Sequence, residues 1–247
     1  MGAPGKTCYV VEAGTMAYAR ALGLQLSISA AKKNGFVPDV LLLLEHPPTI
    51  TLGRSGKWHN LLVPGEVLQR RGVTRYETDR GGDITFHGPG QLVGYPILKL
   101  EGGERDVHGY MRNLEETLIR ALARFGVEAF RLEKLTGVWT TQGKIAAMGV
   151  HISRWITRHG FALNVTTDLS YFDLIRPCGL EGKGVASVAG ILGRPVELGA
   201  VAAAVAHEFG IVFGRTMAPA ALERLQEEAA AFAPGAPGPA LEEVRRR

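Results

Sequence analysis

Apolar residues recur along this chain in two rhythms, and their alternation sets out the expected elements. Between residues 15 and 33, Met16, Tyr18, Leu22 and Leu26 fall near helical spacing, and Thr15 after Gly14 offers a capping hydroxyl, so a helix is predicted there. Val40 to Leu44 is a continuous apolar run bounded by Pro38 and Pro47, too short for a helix and suited to a buried strand; Thr49 to Leu52 alternates as a second. Pro64 suits the first position of a short helix that stops at Gly72. Val73 to Thr78, Ile84 to Phe86 and Leu92 to Leu98, separated by Gly81-Gly82 and Gly88-Pro89-Gly90, read as a three-stranded meander. Asp106 to Phe125 places Met111, Leu114, Leu118, Leu122 and Phe125 on one face, which predicts a long amphipathic helix covering the sheet, with Gly126 as its stop.

Further strands are expected at 128–132, 137–140, 144–152 and 158–165, and helices at 199–209 and 218–232. Antiparallel runs of strands with segregated helices, and no regular βαβ alternation, define an α+β fold: a mixed, largely antiparallel sheet flanked by helices. The pattern reads as a single domain over residues 1–233. The Pro/Gly-rich and basic stretch 234–247 reads as a tail without chemistry.

Composition narrows the classes. At 46% hydrophobic and 21% charged, 247 residues suffice for a full core. The longest apolar run, Ala200 to Ala206, falls far short of the roughly 18 residues a membrane span needs, so no membrane is expected. The first residues carry no signal-peptide pattern, and Lys6 breaks the myristoylation pattern at Gly2. Two cysteines, Cys8 and Cys178, allow one disulfide at most, and a reducing cytoplasm is the expected compartment. A net charge of +4 without a clustered basic stripe gives no case for nucleic acid.

The densest chemistry lies in RGGDITFHGPGQLVGYPI, residues 80 to 97, where five glycines accompany Arg80, Thr85, His87 and Gln91. In Gly88-Pro89-Gly90 a tight turn can aim backbone N–H groups at a ligand, although Gly-Pro-Gly by itself marks an ordinary hairpin loop. Cys178, between Pro177 and Gly179, can sit at a bend whose N–H groups would receive an oxyanion, or it can be a small buried hydrophobe. A thiol titrating near 8.5 needs a nearby cation to act as a nucleophile at neutral pH. Lys144, opening the apolar stretch Ile145 to Gly149, is the candidate; its other reading is the protective lysine of a sheet edge. Cys8 reads as core. His207-Glu208 lacks the second histidine of a zinc helix, since position 211 is isoleucine, and no metal cluster is visible.

Residues 80 to 91 closely resemble the RGGxxTxHGPGQ signature of the lipoyl(octanoyl) transferases. GKIAAMGVHISRWITRHGFALNV (143 to 165), LIRPCG (174 to 179) and EHPPTITLGR (45 to 54) match that family's other motifs in order, so the resemblance covers about residues 10 to 215. It implies a fold like the catalytic domain of biotin and lipoate protein ligases. It implies transfer of octanoyl from the phosphopantetheine thioester of acyl carrier protein to lipoyl domains of 2-oxoacid dehydrogenase complexes and the glycine cleavage H protein. Cys178 would form the acyl thioester and Lys144 would lower its pKa. A substrate slot would be lined by Arg80, Gly81, Gly82, Asp83, Ile84, Thr85, Phe86 and His87, by Ala147, Met148 and Gly149, and by Gly160, Phe161 and Ala162, with His46 and His159 as further pocket residues. The same resemblance implies a monomer with no cofactor or metal of its own. Two positions depart from the family pattern, with Phe86 and Ala186 standing where tyrosine and threonine are frequent. At about 0.8 kcal/mol per methylene, seven carbons beyond the carbonyl contribute up to roughly 5 to 6 kcal/mol on burial, so chain length would be selected only coarsely.

Two other classes share the expected fold: an ATP-dependent ligase that adenylates a free acid, and a non-catalytic module that binds a carrier protein or lipoyl domain. Neither needs a nucleophilic Cys178.

Overall fold

The structure, a computed structural model, describes residues 6–36, 38–176 and 183–232. In chain order the elements are β1 (Lys6–Thr15), α1 (Tyr18–Lys33), β2 (Asp39–Glu45), β3 (Thr49–Leu52), α2 (Gly65–Arg70), β4 (Thr74–Glu77), β5 (Ile84–His87), β6 (Gln91–Ile97), α3 (Val107–Ala123), β7 (Phe130–Leu132), β8 (Leu135–Thr140), β9 (Gly143–Ser153), β10 (Ile156–Asn164), α4 (Val188–Leu192), α5 (Leu198–Phe213), β11 (Arg215–Pro219) and α6 (Leu222–Phe232). They form the expected α+β architecture. A large sheet runs β11-β1-β2-β6-β10-β9-β8-β7, parallel at β11/β1 and β1/β2 and antiparallel elsewhere. A small sheet, β4-β3-β5, stands apart from it.

The unbroken apolar run of β2 reflects burial on both faces of the large sheet. Leu41 and Leu43 join the core under α3 and α5, whereas Val40, Leu42 and Leu44 join the core under α1 and α6. The first face receives Leu114, Leu118 and Leu122 of α3, whose N-terminus is capped by the Asp106 carboxylate accepting from the His108 N–H at 2.9 Å. Cys8 is buried in this core, and burial first, then the negative Asp39, pushes its thiol pKa far up, as suits an inert core cysteine. Asp39 is itself held by Lys32 and Arg215, each at 2.9 Å, which ties α1, β2 and β11 together.

Three expectations and one alternative reading are corrected. Thr15 does not cap α1: it ends β1 opposite Glu45, and the following Met16 N–H still bonds to the Glu45 carbonyl, so ladder hydrogen bonds outweigh the local capping preference. Residues 73–98 are no meander. β4 and β5 flank β3 on opposite sides, because the Gly81-Gly82 segment passes over to β5 while bonded to Val150 rather than folding into a hairpin, and the chain crosses into the large sheet at Gly88-Pro89-Gly90, before β6. The start of the expected 218–232 helix belongs instead to β11, where Ala218 and Pro219 pair with Tyr9 and Val10; sheet pairing overrides alanine's helical preference. Lys144 is no edge lysine, since β9 lies between β8 and β10.

No helix among the described residues is long and apolar enough to cross a membrane. The stretch 234–247 lies outside the described residues.

Candidate active site

The small sheet roofs a cavity of about 350 Å³ whose floor is the β9–β10 half of the large sheet. The roof is pinned at residues 79–83. Arg80 is buried, and its guanidinium donates to the Thr51 carbonyl (2.7 Å), the Thr51 hydroxyl (2.9 Å), the Asp83 carbonyl (2.7 Å) and the Gly81 carbonyl (3.1 Å). Burial lowers its proton affinity, but guanidinium stays charged, and it forms no ion pair among the described residues. The Gly81 N–H then bonds to the Val150 carbonyl of β9 at 2.8 Å. Asp79 adds a second attachment, with one oxygen accepting from Arg158 (2.5 Å) and the other from His159 Nε2 (2.7 Å). Burial raises the Asp79 pKa, but the His159 and Arg158 contacts prevail and hold it far below the usual carboxylate range.

The glycine-rich string, the end of β10 and the chain before α4 are joined by one directional series of hydrogen bonds. Arg80 donates to the Thr51 hydroxyl, which donates to His87 Nε2 (3.3 Å). His87 Nδ1–H donates to Gln91 Oε1 (3.0 Å), Gln91 Nε2 to Asn164 Oδ1 (2.9 Å), and Asn164 Nδ2 to the Ala186 carbonyl (3.0 Å). The orientation of Gln91 follows from its amide nitrogen also facing the Phe86 carbonyl at 3.2 Å. The Ala186 N–H returns to the Lys144 carbonyl at 3.0 Å. His87 is thereby committed to neutrality, and burial drives its pKa well down. His46 is committed in the same way: Nδ1–H donates to the Met16 carbonyl (2.6 Å), Nε2 accepts from the Tyr95 hydroxyl (2.7 Å), and burial lowers its pKa to about 4.

Lys144 differs from every polar group above. It is the second residue of β9, its backbone N–H bonds to the Gly184 carbonyl, and it bridges to Val185. Its ammonium reaches the cavity 5.3 Å from the Trp139 ring centroid and makes no hydrogen bond among the described residues. Burial lowers its pKa, and Glu115 partly opposes that. A desolvated, unpaired ammonium facing an open space is poised to stabilise an anion or to give up a proton.

Of the residues singled out in the sequence, Arg80, Gly82, Asp83, Ile84, Thr85, His87, Lys144, Ala147 to Gly149, His159 and Gly160 to Ala162 line this one cavity. Gly81, Phe86 and His46 stand behind its wall; Phe86 stacks on Tyr171 at 4.6 Å in the core of the small sheet. Cys178 lies outside the described residues. Sequence reasoning missed Tyr18, Tyr95, Trp139, Lys134 of the β7–β8 turn and Leu135 and Thr136 at the start of β8, which also line the cavity. Trp139 could have been noticed as the aromatic residue a short turn ahead of Lys144, in the strand that pairs with it. Among the described residues, no group of three or more His, Cys, Asp or Glu is arranged to hold a metal.

This mixed sheet flanked by helices shares its fold with lipoate protein ligases of known structure. The bi-partite lipoate protein ligase of Thermoplasma acidophilum superposes with a TM-score of 0.71 over 93% of both chains, at 16% identity. Residues 17–210 match the lipoyl protein ligase A/B catalytic domain. The chain is 51% identical to the octanoyltransferase of Solibacter usitatus over 87% of its own length and 97% of that protein's, and 50% identical to that of Koribacter versatilis over 83% of each. It belongs to the octanoyltransferases within the lipoyl protein ligase A/B catalytic domain family.

Proposed function

We propose that this chain transfers an octanoyl group from the phosphopantetheine thioester of acyl carrier protein, through a thioester on Cys178, to a lysine of lipoyl domains. The acceptors would be those of the 2-oxoacid dehydrogenase complexes and the glycine cleavage H protein. Identity of about half to named octanoyltransferases supports the reaction class. The observation that carries the mechanism is the Lys144 ammonium, without a hydrogen bond among the described residues, in a cavity whose apolar wall includes Ala147, Met148, Phe161, Ala162 and Leu135. Phe172 and Val185, on either side of the segment bearing Cys178, contribute to the same wall, which supports a thiol acting at this cavity.

In the first half-reaction the Cys178 thiolate, paired with the Lys144 ammonium, attacks the donor carbonyl. The bond from that carbon to the carrier sulfur breaks, and the departing thiolate takes the proton from Lys144. In the second, a neutral lysine amine of the acceptor attacks the Cys178 thioester; the amide forms, Cys178 leaves as thiolate, and the surplus amine proton returns to Lys144. The lowered proton affinity of Lys144 suits a group that must release and regain a proton each cycle. No cofactor enters this scheme, the donor bringing its own activated carbonyl.

Intact mass after incubation with octanoyl carrier protein tests the reading. An octanoyl adduct that forms without ATP and is absent in Cys178→Ala is the expected result. An octanoyl transfer that requires ATP and survives Cys178→Ala would make the chain a ligase, the activity named for its structural neighbour.

A further inference from the structure

We infer that Glu115 is a positioning residue for Lys144: its carboxylate holds Gly137, against which the lysine lies, and keeps a negative charge on the side of the ammonium. The inference rests on the octanoyltransferase reading, in which Lys144 trades a proton with Cys178. Glu115 lies on the inner face of α3 beside Leu114 and Leu118, with its side chain 2% exposed, a setting in which a carboxylate must be fully satisfied. Its Oε2 accepts from Arg112 (2.7 Å) and Arg131 (3.2 Å), and its Oε1 accepts from the Gly137 N–H (3.1 Å). Gly137 sits at φ +123°, and a Cβ placed on it would stand 2.5 Å from Lys144 Cε and 3.2 Å from Nζ. The bare α-carbon is therefore a flat seat for the lysine terminus, and the carboxylate of Glu115 fixes the orientation of that seat.

The arrangement also supplies charge. Glu115 favours the protonated form of Lys144 against the effect of burial. Among the described residues, the other charged or titratable groups around Lys144 include Arg112 and Arg131, both engaged with Glu115, Glu116 bound to Arg131, Glu133 and Lys134 at the β7–β8 turn, Arg80, Asp83, His87 and His159 on the same cavity, and Lys183 close to Val185. Of these elements, the one from α3 alone combines a negative charge with a backbone contact to the seat of the ammonium.

The test is competitive acetylation of the full chain by trace acetic anhydride across a pH series, with labelling of Lys144 read by peptide mass. Glu115→Gln keeps an acceptor for the Gly137 N–H but loses the charge, so Lys144 should label about threefold faster below its midpoint, and the midpoint should move to lower pH. Glu116→Gln removes a charge bound to the same Arg131 without touching Gly137, and should leave the curve at the wild-type position. A Glu115→Gln curve that overlays wild type, or an equal shift in Glu116→Gln, overturns the inference. The unmutated protein gives a second readout that needs no variant to fold: the Gly137 amide proton resonance should step at the pH where Lys144 gains reactivity, and a flat resonance overturns the inference equally. Neither readout requires octanoyl transfer, so failure to acylate Cys178 would remove the enzymatic reading and leave these results to be judged separately.

Discussion

Gly149 and Gly160 oppose each other directly across β9 and β10, and each turns its missing side chain toward a carbonyl oxygen. A Cβ on Gly149 would stand 2.6 Å from the Gly81 oxygen of the roof, and one on Gly160 would stand 2.2 Å from the Gly94 oxygen of β6. Backbone atoms cannot yield as the end of a side chain can, so a methyl at Gly149 must lift the roof from the floor. Gly149→Ala should lower kcat/KM for octanoyl transfer about tenfold or more, roughly 1.4 kcal/mol of barrier, read from the rate of adduct formation. A variant with wild-type kinetics would show that the roof is not seated through this glycine.

Lys144 should separate stability from activity. Its ammonium is desolvated without a hydrogen-bond partner among the described residues, so Lys144→Met should leave Tm at or above that of the wild type while transfer falls about a hundredfold or more. Thermal melts beside a transfer assay decide it. A large loss of Tm would assign Lys144 to the scaffold.

The opposite outcome is expected at Asp39. Its carboxylate is 2% exposed, is paired to both Lys32 and Arg215, and accepts from the Lys99 N–H at 3.0 Å. Asp39→Ala removes the carboxylate that faces buried Lys32 and one of the two that hold Arg215, and should cost about 3 to 5 kcal/mol in urea unfolding. The Cys8 thiol loses a repelling charge at the same time and should become more acidic in that variant.

Glu104 gives a pH signature. Burial alone would raise its pKa, but the Arg215 bond, the Glu101 backbone and Lys6 prevail and hold it at about 2. A carboxylate whose folded pKa lies below the unfolded value of about 4.3 stabilises the fold above that value, and the contribution disappears as pH falls toward the folded pKa. Glu104→Gln should thus be less stable than wild type at neutral pH, with the gap closing between about pH 4.3 and 2. A gap that stays constant through this window would mean that the charge of Glu104 contributes nothing.

Much of this was legible in the chain because local chemistry and tertiary structure agreed. The amphipathic stripe of α3, the buried run of β2 and the short strand Thr49–Leu52 all formed where the pattern placed them. Where they disagreed, sheet hydrogen bonds overrode local preference, as at Thr15 and Ala218. The glycine string announced a close backbone approach but not its direction, since nothing local distinguishes a hairpin turn at Gly81-Gly82 from a strap tied to Val150. Tyr18 and Tyr95 were invisible as cavity residues, because their positions depend on how α1 and β6 meet. Asp79 and Glu115 were hidden for a related reason: the significance of each lies in partners that come from other elements, some of them far along the sequence.

β1 is sandwiched between two parallel neighbours, one following closely in the chain and the other, β11, beginning with Arg215 opposite Lys6. Closing that far pairing requires the loop entropy of nearly the whole chain to be met before the contact is formed, which favours late assembly. During synthesis the first strand would therefore wait with one side bare until the last strand has left the ribosome. Protection of the Lys6–Val10 amides against hydrogen exchange should accordingly be among the last gained in refolding.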